Sequence, residues 1–149
     1  MADASPPAVR RARAFRFRLT APRIPEHALQ KQICDVLRLE IAPPGRVSRD
    51  GVVWWSIDIA DYGGDVPGIR IGRGMVAGVP DLFFVYRGQA YLVELKTSDG
   101  VLSAGQISLA SAVLSAQAHF GVATSAEGLL EILDGWQIPR RRRLRDQGT

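Results

Sequence analysis

Two acidic residues and a lysine, Asp81, Glu94 and Lys96, carry the strongest chemical signal in the chain. Asp81 opens the apolar run Leu82-Phe83-Phe84-Val85-Tyr86, and Glu94-Leu95-Lys96 closes the run that begins at Gln89. Only Arg87 and Gly88 separate these runs, the spacing of a hairpin with a two-residue turn. In that register Tyr86 faces Gln89 and Asp81 faces Glu94, so both carboxylates share one sheet face. If the turn shifts to Gly88 and Gln89, Asp81 faces Lys96 on that same face. Like charges directly opposed cost up to about 1 kcal/mol, and stability alone would not select them. A divalent cation reverses the sign, because carboxylate oxygens hold Mg²⁺ or Mn²⁺ and leave water positions on the ion. Lys96 could then lower the pKa of an attacking water or oppose charge developing on a phosphate. The plainer alternative is an ion pair at the sheet rim, which is common and nearly free.

The surrounding elements must hold this hairpin. Leu29, Ile33, Val36 and Leu37 repeat with helical periodicity, and Pro25 suits a first turn, which predicts a helix over residues 25–39. Ala42-Pro43-Pro44-Gly45 breaks it, and Val52 to Ile59, rich in β-branched and aromatic residues, reads as a strand. The stretch from Gly63 to Gly78 suits a mobile loop that delivers the chain to Asp81. Ser103 and Gln106 have capping-box spacing ahead of a helix to about Ala118. Phe120 to Thr124 makes a fourth strand, and Ser125 caps a last helix with Leu129, Leu130, Ile132 and Leu133 on its apolar face, ended by Gly135. The expected order is α-β-β-β-α-β-α. The central strands are apolar on both sides, so both faces should be covered.

A length of 149 residues fits one domain, and the ordinary apolar and charged content excludes a membrane span. One cysteine, Cys34, excludes an internal disulfide framework and a cysteine-based zinc site, which fits a reducing, cytoplasmic setting. No secretory signal is expected at the N-terminus. The net charge of +4 conceals an asymmetry: residues 1–25 and 136–149 hold eleven arginines and two aspartates, leaving a net −5 on residues 26–135. Basic ends suit a polyanion, although a solvated tail has the same composition. The domain reading is a flexible basic arm over residues 1–23, a folded domain over 24–139 and a basic tail over 140–149.

Pro80-Asp81 followed by Glu94-Leu95-Lys96 resembles the PD-(D/E)XK nuclease signature. With Glu26 and Gln30 in the first helix, Gly78-Val79-Pro80-Asp81-Leu82 and Leu102-Ser103-Ala104-Gly105-Gln106, the pattern resembles the VRR-NUC branch, including its stand-alone phage and bacterial members. The likeness runs from about Pro25 to Leu133. It implies a restriction-endonuclease-like α/β core with a mixed central sheet flanked by helices, and a metal-dependent endonuclease that hydrolyses DNA phosphodiesters. It further implies that Asp81, Glu94 and the backbone carbonyl of Leu95 ligate Mg²⁺ or Mn²⁺, with Glu26 completing the site directly or through water. Lys96 would act on water or phosphate, and Gln106 would position the site or a phosphate. The DNA is expected to be duplex or branched, such as a four-way junction, cut by paired subunits of a homodimer. The rival class is a nucleic-acid-binding or phage packaging accessory protein that keeps the fold without turnover.

Glu26 could instead favour the helix dipole, and Gln106 could merely complete the Ser103 cap. Trp54 and Trp55 are adjacent in a strand and point to opposite faces, so one joins the core and the other fills an interface or stacks a base. His27 and His119 lack a zinc-like ligand spacing and read as structural or surface residues. Gly72-Arg73-Gly74 lacks the features of a nucleotide-binding loop, so no nucleotide cofactor is expected. Cys34 reads as a buried thiol.

Overall fold

A computed structural model describes residues 24–57 and 74–141. The glycine-rich stretch from 58 to 73 and the arginine-rich ends, 1–23 and 142–149, lie outside the described residues. Leu29, Ile33 and Leu37 fall on one face of helix α1, Glu26–Glu40, and are all buried. Pro25 stands just before the helix and its carbonyl accepts from the Ala28 and Leu29 amides. Strand β1 spans Val53–Ser56, and the end of the expected strand, residues 58 and 59, lies outside the described residues. Trp54 enters the core completely and its indole Nε1 donates to the Ala42 carbonyl at 2.7 Å. Trp55 faces the other way.

Strands β2, Leu82–Tyr86, and β3, Gln89–Leu95, pair with Tyr86 opposite Gln89 and Leu82 opposite Val93, the register expected for the two-residue turn. Arg87 and Gly88 both have positive φ, at 49° and 72°, as a primed hairpin turn requires. The arginine sits there at a backbone cost of about 1–2 kcal/mol, partly offset by its guanidinium lying 5.1 Å from the Tyr86 ring centre. Helix α2, Ala104–Ser115, opens with the Ser103 capping box. It ends earlier than about Ala118 because Gln117 turns into the left-handed region at φ 62°, where its amide bonds Leu114 and that of Ala118 bonds Val113, a Schellman closure. Strand β4, His119–Ala123, follows, then helix α3, Ala126–Gly135, capped by Ser125. Gln137, at φ 60°, reverses the chain after α3 in the same way.

The sheet order is β1-β2-β3-β4, antiparallel except for the parallel β3–β4 pair, which α2 connects. Among the described residues the order α-β-β-β-α-β-α around a mixed central sheet is that of a restriction-endonuclease-like α/β core. Leu29, Ile33 and Leu37 of α1 and Leu129 and Leu133 of α3 join Leu82, Phe84, Val93 and Leu95 in one core on one sheet face. Leu92 and Glu94 point to the opposite face, where Gln106 of α2 reaches Glu94. Among the described residues that face is covered only in part, with Trp55 and Val85 37% and 39% exposed.

Arg140, the first residue of the expected basic tail, is held against the domain. Its Nε and Nη2 bond both carboxylate oxygens of Asp134 at 2.9 Å, and Nη1 reaches Glu40 Oε2 at 3.2 Å, where Glu40 is buried. The fork geometry ties the exit of α3 to the end of α1. Arg140→Ala is expected to destabilise the fold by about 2 kcal/mol, below the 3–5 kcal/mol of a fully orphaned buried charge because Glu40 retains another partner. A urea titration would show a lower midpoint with an unchanged slope.

Candidate metal centre

The hairpin register places Asp81 at the mouth of β2 and Glu94 near the end of β3. The Ile57 amide donates to the Asp81 carbonyl at 2.9 Å, and the Lys96 amide donates to the Ala123 carbonyl at 3.0 Å. These bonds continue the sheet ladder and fix the backbone on both sides of the cluster. Asp81 Oδ2 accepts the Leu95 amide at 2.7 Å, so the two strands lock the first carboxylate directly. Glu26, in the first turn of α1, meets them from a third element.

One carboxylate oxygen from each of Glu26, Asp81 and Glu94 lies within 4.8 Å of the other two. Lys96 Nζ stands 3.0 Å from Glu94 Oε1 and 3.5 Å from Glu26 Oε1. The Leu95 amide engages Oδ2 of Asp81, and Gln106 and Lys96 both engage Oε1 of Glu94. Burial is graded, with Glu94 buried, Asp81 intermediate and Glu26 exposed. Ionised, the four groups sum to −2, the complement of a divalent cation. An all-oxygen donor set at this spacing fits a hard ion with ligand distances of about 2.0–2.6 Å. The cluster lines a cleft of about 370 Å³ together with Gln30, Ser103 and Gln106.

Gln106 does two jobs at once. Its Oε1 accepts the Ser103 amide at 2.8 Å and completes the capping box, while its Nε2 donates to Glu94 Oε1. Cap and site are therefore one structure, and the amide orientation that closes the cap also aims the donor at the carboxylate. Gly78 brings the loop before Asp81 onto the same helix end. At φ 81° its backbone lies so close to α2 that an added Cβ would come within 2.7 Å of three backbone atoms of Gly105 and Gln106.

Burial raises the pKa of Asp81 from its ordinary value, opposed by the Leu95 amide and reinforced by the Glu26 charge. Burial also raises Glu94, with the Lys96 hydrogen bond opposing and the Asp81 charge adding. For Lys96, desolvation pulls the pKa down, but Glu94 and Glu26 outweigh it and the net shift is upward. Acids whose folded pKa is raised contribute stability that is present below the unfolded pKa and lost as pH rises through the folded one. The metal-free protein should therefore lose stability as pH climbs out of the ordinary carboxylate range. Thermal melts in EDTA should show this fall, and Mg²⁺ or Mn²⁺ should reverse it most strongly near neutrality.

His27 and His119 stand outside the cluster, and His119 stacks on Tyr91 with ring centres 4.4 Å apart. Cys34 is buried in the core. No helix among the described residues is long and apolar enough to cross a membrane. No protein-family model, curated protein or solved structure matches the chain. The α/β core and its acidic cluster, which could coordinate a divalent metal, are thus defined by the fold and side-chain geometry alone.

Proposed function

We propose that the chain is a divalent-metal-dependent endodeoxyribonuclease of the VRR-NUC branch, acting on structured or branched DNA as a homodimer. The observation that carries this reading is the convergence of Glu26, Asp81 and Glu94, from three separate elements, beside Lys96 in one open cleft. Asp81, Glu94 and the Leu95 carbonyl would hold Mg²⁺ or Mn²⁺, with Glu26 bound directly or through water. Bound there, the ion supplies an activated water and neutralises charge on the phosphate. Lys96 presents its ammonium donors beside these carboxylates, within the cleft a phosphate oxygen or attacking water would enter. Gln106 and the Leu95 amide fix the orientations of Glu94 and Asp81, so little reorganisation is needed when substrate arrives.

The basic ends support DNA as the substrate, since an acidic cleft attracts a polyanion poorly without a metal and distant positive charge. Branched DNA and paired subunits rest on the family resemblance. The test compares wild type with Asp81→Ala on duplex, single-stranded, flap and four-way-junction DNA, with and without Mg²⁺ or Mn²⁺. Wild type should cut the branched substrates only with metal, and the variant should not. Metal-dependent cutting that survives the substitution would sink the site. Failure of the wild type on every substrate would favour a non-catalytic accessory protein.

A further inference from the structure

The sheet face that carries Glu94 continues from the cleft into an aromatic surface. Ile57, Asp81 and Glu94 form its first row of side chains, by the β1–β2 and β2–β3 registers. In the next row Trp55 pairs across the strands with Phe83, their ring centres 5.6 Å apart and their planes inclined by only 8°. One row on a strand is about 7 Å, so the rings begin close beside the carboxylates. Trp55 is 37% exposed, while its neighbour Trp54 is wholly buried. Val53, Trp55, Phe83, Val85 and Ala90 share this face and carry no charge.

A neutral surface offers nothing to a phosphate, but Phe83 backs one face of Trp55, and the indole, still part exposed, can stack with any base, because every base has a π face. A second copy seated on these rings would overhang the cleft one row away, whereas a strand whose phosphate enters the cleft brings a base to them. Bases inside a continuous duplex are already stacked on both sides and cannot insert. We infer that Trp55, backed by Phe83, forms a stacking platform for an unpaired nucleobase flanking the phosphate that enters the cleft of Glu26, Asp81 and Glu94. This rests on the nuclease reading and narrows its substrate class to DNA with unpaired nucleotides at a fork, flap or branch. Recognition there is sequence-tolerant.

The test measures binding by fluorescence anisotropy in the otherwise unaltered protein with Ca²⁺ in place of Mg²⁺ or Mn²⁺, an ion that takes the same oxygen ligands with looser geometry. The probes are a single-stranded oligonucleotide, the same strand with abasic sites, and a blunt duplex. Trp55→Ala should weaken the intact single strand by about 5- to 150-fold, the contribution of one stacked base. The abasic strand and the duplex should change by less than about twofold on the same reasoning. Trp55→Phe should keep most of the affinity, which separates stacking from misfolding. Equal weakening of all three probes, no weakening, or no binding of the intact strand would overturn the platform. So would a Trp55→Ala shift from dimer to monomer by light scattering with single-strand affinity per protomer unchanged, which would make the face an interface between copies. A protein that binds as expected but never cuts with Mg²⁺ or Mn²⁺ would contradict the nuclease reading and leave the platform standing.

Discussion

Asp81→Asn is expected to melt later than wild type in EDTA while losing at least about a thousandfold in metal-dependent cleavage, several kcal/mol of transition-state stabilisation. Both effects come from one oxygen becoming an amide. The carboxylate is partly desolvated and faces the Glu26 and Glu94 charges, so its ionised form opposes folding in the metal-free protein. Asparagine has the same shape and still accepts the Leu95 amide, so the strand lock survives. The melting temperature should rise by at least about 2 °C, which a chain of this size shows for less than 1 kcal/mol. Wild type should in turn gain stability from Mn²⁺, by about 2.7 kcal/mol at a hundredfold excess over its Kd, and the variant should gain much less. A variant less stable than wild type in EDTA would show that the site is a structural ion pair.

Gly78→Ala should be the most damaging conservative change outside the cluster. At φ 81° an alanine is strained, at a cost of about 1–2 kcal/mol. Its methyl group would also strike the backbone of Gly105 and Gln106, which cannot rotate away. Overpacking of that kind adds about 1–3 kcal/mol, for a total near 2–5 kcal/mol. Relief requires the end of α2 to move outward, and Gln106 moves with it, away from Glu94. Guanidinium unfolding should therefore show a large loss of stability, and cleavage under conditions where the variant is folded should fall with it. Loss of stability with full cleavage would mean that Gln106 does not position Glu94.

The hairpin was readable from residue types alone, because two apolar runs with a two-residue gap leave few registers and strand alternation then places Asp81 and Glu94 on one face. The helix starts were readable for a similar local reason: Ser103 and Ser125 cap through bonds that span three residues. The helix ends were harder. Gln117 and Gln137 occupy left-handed positions that glycine ordinarily marks, and no residue type signals them. Alternation required Trp54 and Trp55 to face opposite ways but could not say which entered the core, since that depends on where α1 and α3 pack. Gln106 fitted both the cap and the site on spacing, and only the position of α2 over Glu94 shows that it serves both. Arg140 looked like one of a run of tail arginines. Its partner Glu40 lies 100 residues away, a contact that no local pattern reports.

The central claim is that Glu26, Asp81 and Glu94 hold a divalent ion, and anomalous diffraction from crystals of the protein with Mn²⁺ tests it most directly. A manganese peak should lie within about 2.0–2.4 Å of carboxylate oxygens from Asp81 and Glu94, with Glu26 bound directly or through one water, and should vanish in Asp81→Asn. Manganese bound elsewhere, or absent from this cleft at concentrations that support DNA cleavage, would contradict the account.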